Sequence, residues 1–299
     1  MTAINNNNQD EPLPLAPVVL LLLDGWGIAP ESEANAIVPA NTPVFNGLIT
    51  DYPVALLSAK DKTLNARYLS LGAGSDLDNE NTNPAATLTR VIANAGLKQI
   101  KITETERLAA LTYFFNGHSD TKTIGEDWKI VSSQASDNKK KSAVVASKIT
   151  TELIKNLKTE KYNFYTVALP TLDLVATSGD LEIIKKAIKT VDNNLKKIVG
   201  AVLDKKGVLV ISAAGGNIEN IKNMATELLD KEMTDNPVPL IIVGDNFKGK
   251  TIGLREPLNN DLSLLTPAGN LGDLAPTILD IMNLPKPGGM TGESLIDKE

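Results

Sequence analysis

The chain has 299 residues and a formal net charge of -6, with 30 lysines and arginines against 36 aspartates and glutamates. This balance argues against a general nucleic-acid or anionic-membrane binder, because phosphate groups repel a negative surface. The chain contains no cysteine, which excludes disulfides, thiolate zinc sites and cysteine nucleophiles. It contains one histidine, His118, which excludes a metal site that needs two imidazoles and which we expect in an exposed loop.

The first 16 residues are polar and rich in asparagine and proline, and they predict a disordered tail. They have neither the basic start nor the long apolar stretch of a secretory signal. The longest apolar run, Val18 to Leu23, is far shorter than the ~20 residues of a bilayer-spanning helix. We therefore expect a cytoplasmic protein without a membrane span.

Short apolar strands alternate with helical stretches along the rest of the chain. The run from Val18 to Leu23 is apolar throughout and ends at Asp24-Gly25, which is typical of a parallel strand buried on both faces. Further strands are predicted over 98–102, 111–115, 163–169, 207–212 and 239–243, with helices beginning at 41–43 and over 84–95, 142–158, 181–204 and 274–282. The alternation predicts an α/β fold with helices on both faces of a largely parallel sheet.

Ligands in such sheets bind at the carboxyl ends of the strands, so the residues that follow each strand are candidates for function. Asp24 follows the first strand and Asp173 follows the strand over 163–169, so two carboxylates could face one crevice. Together they could hold a hard cation such as Mg²⁺, or each could cap a helix or turn. Without a dication the two carboxylates would repel each other.

Gly215, Gly216 and Asn217 follow the strand over 207–212 and precede a predicted helix. Backbone amides at the start of a helix can hold an anion, so these residues are candidates for a small-ligand sensor that recognises a phosphorylated metabolite. A simple turn at the start of a helix explains the same three residues.

A set of longer segments carries a more specific signal. In chain order they are LLLLDGWGIAPESEANAIVPANTPVFNGLITDYP, LSLGAG, AGLKQIKITETERLAALTYFFNG, TSGD with IKTVDNNLKKIVGAVLDKKGVLVIS, NPVPLIIV, and GNLGDLAPTILDIMNLPKPGGMTGESLI. Together they resemble the cofactor-independent (2,3-bisphosphoglycerate-independent) phosphoglycerate mutases, which belong to the alkaline-phosphatase-like superfamily. The resemblance implies a three-layer α/β/α sandwich of that type.

The resemblance also implies two domains, of which this chain matches one. The family has a phosphatase-like domain with a pair of Mn²⁺ or other divalent ions, and an inserted transferase domain that closes over the phosphoglycerate. Here the loop 75–83 stands where the insertion would follow LSLGAG. We therefore expect a tail over 1–16 and a single phosphatase-like domain over 17–299.

Carried over position by position, the resemblance predicts a degenerate active site. The family's nucleophilic serine falls at Leu64, and of the metal ligands only Asp24 and Asp173 are kept. The other ligand positions hold Thr177, Ala214, Gly215 and, near the family's last histidine, Met233. The lysine and histidine of a further family segment read Arg107 and Ala110, and Arg107, Gly215, Gly216 and Asn217 are the candidates for substrate binding.

These losses favour a catalytically inactive homologue, a pseudoenzyme that acts through protein binding or as a subunit of an assembly, with self-association possible. This hypothesis predicts no cofactor. The alternative is a residual phosphoglycerate mutase or phosphatase that uses Asp24 and Asp173 with Mn²⁺ or Mg²⁺. It would need another nucleophile, for which Thr63, Ser70 and Ser212 are candidates.

Overall fold

The computed structural model describes residues 16–60, 62–132, 142–222, 232–252 and 261–296, so the predicted tail lies outside the described residues except for Ala16. The strands are β1 Val18–Leu22, β2 Val54–Ser58, β3 Gln99–Glu104, β4 Glu126–Val131, β5 Phe164–Ala168, β6 Val208–Ser212, β7 Val238–Val243 and β8 Gly269–Asn270. The α-helices are α1 Pro43–Asp51, α2 Leu64–Ala73, α3 Leu88–Asn94, α4 Ser142–Leu157, α5 Thr171–Ala176, α6 Leu181–Leu203 and α7 Leu274–Ile281.

The strands form one sheet in the order β4-β3-β5-β1-β6-β7-β2-β8. Neighbouring strands are parallel except where β7 pairs with β6 and β2, so the prediction of a largely parallel sheet is confirmed. Helices α1, α4, α5 and α6 pack together on the sheet, while α2, α3 and α7 form a second group. The result is the predicted three-layer α/β sandwich.

The predicted central strand is confirmed in its place and its burial. β1 lies between β5 and β6, and every residue from Val18 to Leu22 is at most 4% exposed. Because β1, β5 and β6 run in the same direction, their carboxyl ends meet at one edge of the sheet. This edge is where the chain places Asp24.

The strand predicted over 111–115 is wrong. Residues Ala110–Phe114 form a single π-helical turn. Leu111 and Phe115, four positions apart, are both fully buried, whereas Tyr113 between them is exposed. This spacing is helical, and tertiary packing therefore overrides the β propensity of the aromatic residues.

One predicted boundary also changed, and five elements were not predicted: strands β2, β4 and β8 and helices α2 and α5. The helix predicted over 84–95 begins later, at Leu88, because the Thr87 side chain caps its first turn. Strand β2 and helix α2 are not predicted by the sequence patterns above. Residues 75–83 contain bends and turns without a helix or strand.

A buried ion pair joins the two strands at one margin of the sheet. Lys101 on β3 donates from Nζ to Glu126 Oε1 on β4 at 3.0 Å, to Thr89 Oγ1 at 2.8 Å and to Asn116 Oδ1 at 2.6 Å. Both charged side chains are at most 1% exposed. Burial lowers the pKa of Lys101 to about 8, although Glu126 opposes the shift. The ammonium thus uses all three of its donors.

We predict that Lys101→Met lowers the free energy of unfolding by about 3–5 kcal/mol, because it leaves the Glu126 carboxylate buried without its cation. Urea unfolding at pH 7 measures the loss. The matched control is Lys129→Met on β4, where the side chain is about half exposed and its ion pair with Glu152 spans 3.6 Å. In that control the free energy of unfolding is expected to fall by less than about 1 kcal/mol. Equal losses in the two variants would contradict the prediction.

Candidate functional site

The candidate site lies at the carboxyl ends of β1, β5 and β6. Asp24 follows β1, Asp173 lies in the first turn of α5 after β5, and residues 214–217 follow β6. The backbone brings the first two together directly, because Asp173 N donates to Asp24 O at 3.2 Å. The crevice expected between these strand ends therefore contains both carboxylates, which we call the carboxylate pair.

Gly25 allows α5 to approach this close. Its φ is +92°, a left-handed conformation that favours glycine. A Cβ at this position would lie 2.5 Å from Asp173 N, so a side chain would push the start of α5 away from β1. The Asp24-Gly25 dipeptide is thus a structural requirement for the carboxylate pair.

The Asp24 side chain is 1% exposed and has a donor on each oxygen. Its Oδ2 accepts from Tyr68 Oη at 2.6 Å and from Arg107 Nε at 3.1 Å, and its Oδ1 accepts from Ala214 N at 3.2 Å. Burial raises the pKa of Asp24, while the Arg107 guanidinium and the Tyr68 hydroxyl act in the opposite direction. Burial likewise raises the pKa of Tyr68, with the Asp24 charge adding to the shift, so its hydroxyl remains a donor.

Arg107 lies between the two carboxylates. Its Nε donates to Asp24, and its Nη2 donates to Asp173 Oδ2. The Arg107 side chain is 8% exposed, and the paired carboxylates raise its pKa above the ordinary arginine value. The guanidinium therefore supplies the positive charge that the carboxylate pair needs, and the repulsion expected without a dication is offset.

Asn217 completes the donors around Asp173. Its Nδ2 donates to Asp173 Oδ1 at 3.1 Å. Its other side-chain atom, Oδ1, is buried and has no hydrogen-bond partner within the described part of the chain. An amide oxygen without a donor therefore lies beside the carboxylate pair.

Of the backbone amides that the sequence offers for anion binding, that of Asn217 already has an internal acceptor. Glu219, which is 1% exposed, accepts from Asn217 N at 2.8 Å and from Gly27 N at 3.1 Å through Oε2. Its Oε1 accepts from Thr234 Oγ1 and from Asn236 Nδ2. The carboxylate of Glu219 thus occupies the place at which an external anion would be expected.

A second arginine lies against the positions where the resemblance implies lost ligands. Arg67 is 1% exposed and donates from Nη1 and Nη2 to Thr234 O, each at 3.2 Å. A Cβ placed on Gly215 would collide with Arg67 Nη1 and approach Met233 Sδ to 3.5 Å. A side chain at position 215 is therefore excluded while Arg67 holds this conformation.

The remaining predicted residues lie in ordinary structural roles. Leu64 is half-buried at the first position of α2, and Ala214 is buried directly after β6. Thr177 is exposed at the end of α5 and donates to Leu174 O at 2.9 Å. Ala110 begins the π-helical turn.

His118 is half-buried, so the prediction of an exposed histidine is wrong. Its ring nitrogens lie 2.7 Å from Glu80 O and 3.1 Å from Asn83 Oδ1, and the loop 75–83 covers part of the ring. The imidazole thus helps to hold this loop.

Four residues of the site were missed by sequence reasoning: Arg67, Tyr68, Glu104 and Glu219. The first two lie on α2, which we had not recognised as a helix. The two glutamates have no motif of their own, and both are buried by contacts between segments far apart in the chain. A charged residue at the carboxyl end of a buried strand, as at Glu104, is the one signal that was available.

Residues 16–286 match the family described as the metalloenzyme superfamily, which is most of the chain. The chain belongs to the metalloenzyme superfamily. The 2,3-bisphosphoglycerate-independent phosphoglycerate mutase of Clostridium botulinum (strain ATCC 19397 / Type A) is 37% identical over 211 residues, which cover 70% of this chain and 38% of that protein. The enzyme of the same name from Nostoc sp. is 37% identical over 219 residues, which cover 73% of this chain and 40% of that protein. This metalloenzyme-superfamily chain thus spans about two fifths of the length of the curated relatives it matches.

Solved structures confirm the fold. A Leishmania mexicana phosphoglycerate mutase, determined at low cobalt concentration, superposes with a TM-score of 0.62 and 24% identity over 72% of this chain and 40% of that chain. A mutant alkaline phosphatase of the Antarctic bacterium TAB5 with bound Mg superposes with a TM-score of 0.62 and 10% identity, over 91% of this chain and 99% of that chain. At these identities the likeness shows the alkaline-phosphatase-like fold alone.

The expectation of no cofactor is wrong. The chain belongs to a metalloenzyme superfamily, and one neighbouring structure was determined at low cobalt concentration and another with bound Mg, so the family points to metal-ion use. The side chains as arranged here do not fit such an ion, because Arg107 already pairs with both carboxylates. No group of three His, Cys, Asp or Glu side chains among the described residues could hold a metal.

Glu104, at the carboxyl end of β3, is 1% exposed, and its Oε1 has no partner among the residues that the structure describes. Burial raises the pKa of Glu104 from 4.5 to about 7, and Glu106 adds to the shift while Arg107 opposes it. The folded state therefore binds the proton more tightly than the unfolded state, and stability falls as the pH rises from 4.5 through 7.

We predict that Glu104→Gln raises the free energy of unfolding at pH 8 by about 1–2 kcal/mol and leaves it nearly unchanged at pH 4.5, because the amide removes the buried charge. Urea unfolding at several pH values measures the difference. Glu106→Gln, at the exposed neighbouring glutamate, is the matched control and is expected to change little at any pH. An increase in the free energy of unfolding that is equal at pH 4.5 and pH 8 would contradict the raised pKa of Glu104.

Proposed function

We propose that this chain is a catalytically inactive homologue of cofactor-independent phosphoglycerate mutase that acts in the cytoplasm through protein binding or as a subunit of an assembly. The observation that carries the proposal is the Arg107 guanidinium, which lies between Asp24 and Asp173 where the family's chemistry would need those carboxylates free. The side chain at the implied nucleophile position, Leu64, has no oxygen to accept a phosphoryl group.

The hydroxyls that could replace the nucleophile are engaged or enclosed. Thr63 caps α2 by accepting from Ala66 N and donates to Glu80 Oε2 at 2.9 Å. Ser70 donates to the carbonyl of Ala66 at 2.9 Å, within its own helix. Ser212 is fully buried at the end of β6. Loss of one member of a catalytic unit costs factors of about 10³ or more, which supports an inactive protein.

The protein-binding part of the proposal concerns the surface around the loop 75–83. We place a single phosphatase-like domain over 17–299, with this loop where the family carries its inserted domain. Asp76 and Asp78 are exposed there, close in sequence to Glu80. A partner with a basic surface fits this acidic loop. Self-association of the chain is the other possibility that we propose.

The alternative is a residual metal-dependent mutase or phosphatase. One observation favours it: the structure brings Asp24 and Asp173 to a single guanidinium, so the two carboxylates share one place at the strand ends. If Arg107 moved aside, Mn²⁺ or Mg²⁺ could supply Lewis-acid chemistry at the carboxylate pair. The other described residues would hold the aspartates in position.

We predict that the purified chain, given excess Mn²⁺ and 3-phosphoglycerate, forms no more 2-phosphoglycerate than its Asp24→Asn variant, because Arg107 pairs with both carboxylates and the implied nucleophile position holds Leu64. Enolase-coupled absorbance measures the product, and hydrolysis of p-nitrophenyl phosphate tests phosphatase activity in parallel. Turnover by the native chain that disappears in folded Asp24→Asn and Asp173→Asn variants would replace this proposal with the residual enzyme.

We further predict that a stoichiometric partner remains bound through gel filtration of the native protein and that Asp78→Lys weakens this association about tenfold, because the charge complementarity is lost. Asp204→Lys is the matched control, since this exposed aspartate precedes β6 and therefore lies at the opposite edge of the sheet. A protein that elutes alone, or equal effects of both substitutions, would contradict binding at the loop.

A further inference from the structure

Strand β4 forms one edge of the sheet. It pairs with β3 on one side, and no described strand pairs with it on the other side. The opposite edge of the sheet is β8, which has only two residues, whereas β4 has six. An edge strand of this length presents a row of backbone donors and acceptors with which a further strand can pair.

The register with β3 decides which backbone groups of β4 face outward. Gln99 lies opposite Glu126, and Gln99 N donates to Gly125 O at 2.9 Å. The bonds of β3 therefore go to Gly125 and to every second residue after it. Glu126, Trp128 and Ile130 direct their backbone N–H and C=O groups to the open side, because these groups alternate in direction along a strand.

The charges on β4 select one antiparallel register for pairing with a second copy. Asp127 and Lys129 share one face of the strand, and their side chains are 45% and 47% exposed. When Trp128 lies opposite Trp128 of the second copy, Asp127 of each chain lies opposite Lys129 of the other. Opposite charges directly across two strands stabilise the pair.

The neighbouring registers are unfavourable. A shift of two residues in one direction places Asp127 opposite Asp127, and a shift in the other direction places Lys129 opposite Lys129, so like charges meet in both. A shift of one residue sets the outward-facing backbone groups against groups that already bond to β3. Only the register centred on Trp128 therefore satisfies both the backbone and the charges.

The charges beside β4 continue the same alternation of sign. Asp127 Oδ2 accepts from Lys161 Nζ at 2.6 Å, and Lys129 Nζ lies 3.6 Å from Glu152 Oε2 on α4. Pairing in the register centred on Trp128 gives a row of four charges of alternating sign, from Lys161 of one chain to Glu152 of the other. Two-fold symmetry repeats this row, as a self-complementary interface requires.

Exposed apolar side chains lie near both ends of β4. Ile124, two residues before the strand, is 91% exposed. Val144 on α4 is 53% exposed and lines a groove together with Lys129 and Val131 near the other end. In an antiparallel pair the amino end of one β4 lies beside the carboxyl end of the other. Pairing therefore brings these apolar groups of the two chains to the same region and removes part of their surface from water.

We infer that two copies of this chain pair through β4 as antiparallel strands, in the register that sets Trp128 against Trp128, and so form one continuous sheet. Trp128 N donates to Trp128 O of the other copy, and Ile130 N donates to Glu126 O. Glu126 N already donates to Thr123 O at 3.1 Å, so the two strands share about four backbone hydrogen bonds. This interface rests on the self-association named in the proposed function, and it does not depend on whether the chain is catalytically active.

The test is sedimentation velocity of the full chain from about 1 to about 100 μM, together with a charge exchange between the strands. We expect a monomer–dimer equilibrium. Asp127→Lys and Lys129→Asp should each weaken the dimer about tenfold or more, because each sets like charges opposite one another. An equimolar mixture of the two variants should restore the dimer, because every cross-strand pair then has opposite signs.

Asp204→Lys is the matched control, at an exposed aspartate beyond the end of α6, and it should dimerise like the native chain. A native chain that stays monomeric throughout, single variants that dimerise normally, or a mixture that fails to restore the dimer would overturn the interface. A dimer that Asp78→Lys weakens and the β4 variants do not would place the contact at the loop 75–83 and overturn it as well. Turnover of 3-phosphoglycerate would overturn the proposed inactivity and leave this interface untouched, so the two fail separately.

Hydrogen–deuterium exchange of the native chain keeps the interface testable if the charge variants do not fold. Peptides that contain Trp128 and Ile130 should exchange about tenfold more slowly at the high concentration than at the low one, because their amides become bonded in the dimer. Peptides from β8 at the opposite edge should exchange equally at both concentrations. Protection of β4 that is already complete in the monomer would show that the chain covers this edge itself, and would overturn pairing with a second copy.

Discussion

The structure around the candidate site depends on one requirement: a carboxylate at the end of a fully buried strand must have a cation. Asp24 follows β1, the central strand, and is 1% exposed, so an uncompensated charge there would be costly. Arg107 meets the requirement from β3, two strands away across β5, and at the same time neutralises Asp173. A family scaffold associated with metal ions is thus held together at its strand ends by a tethered guanidinium.

The same principle extends to the neighbouring polar groups. Glu219 satisfies the amides of Gly27 and Asn217, and Arg67 satisfies the carbonyl of Thr234 beside Gly215. Internal side chains therefore pair with polar groups of both signs at the strand ends. Such a network favours a site that contributes to stability and shape.

The fold does not depend on that chemistry. β1, β5 and β6 are buried by apolar contacts on both faces, and the ion pair between Lys101 and Glu126 secures the margin of the sheet independently. Among the described residues no helix is long and apolar enough to cross a membrane.

The sequence by itself determined the elements whose hydrophobic pattern is strong: the apolar run of β1, the long helix α6 and the strand–helix alternation that requires a largely parallel sheet. It also placed Asp24 and Asp173 at neighbouring strand ends, because parallel strands finish at one edge. Only the tertiary structure decided that Arg107 reaches both carboxylates, that Glu219 fills the amide site, and that residues 110–114 are helical. Those outcomes depend on contacts between segments that are far apart in the chain. No local sequence pattern encodes which of these segments meet or which side chains they bury.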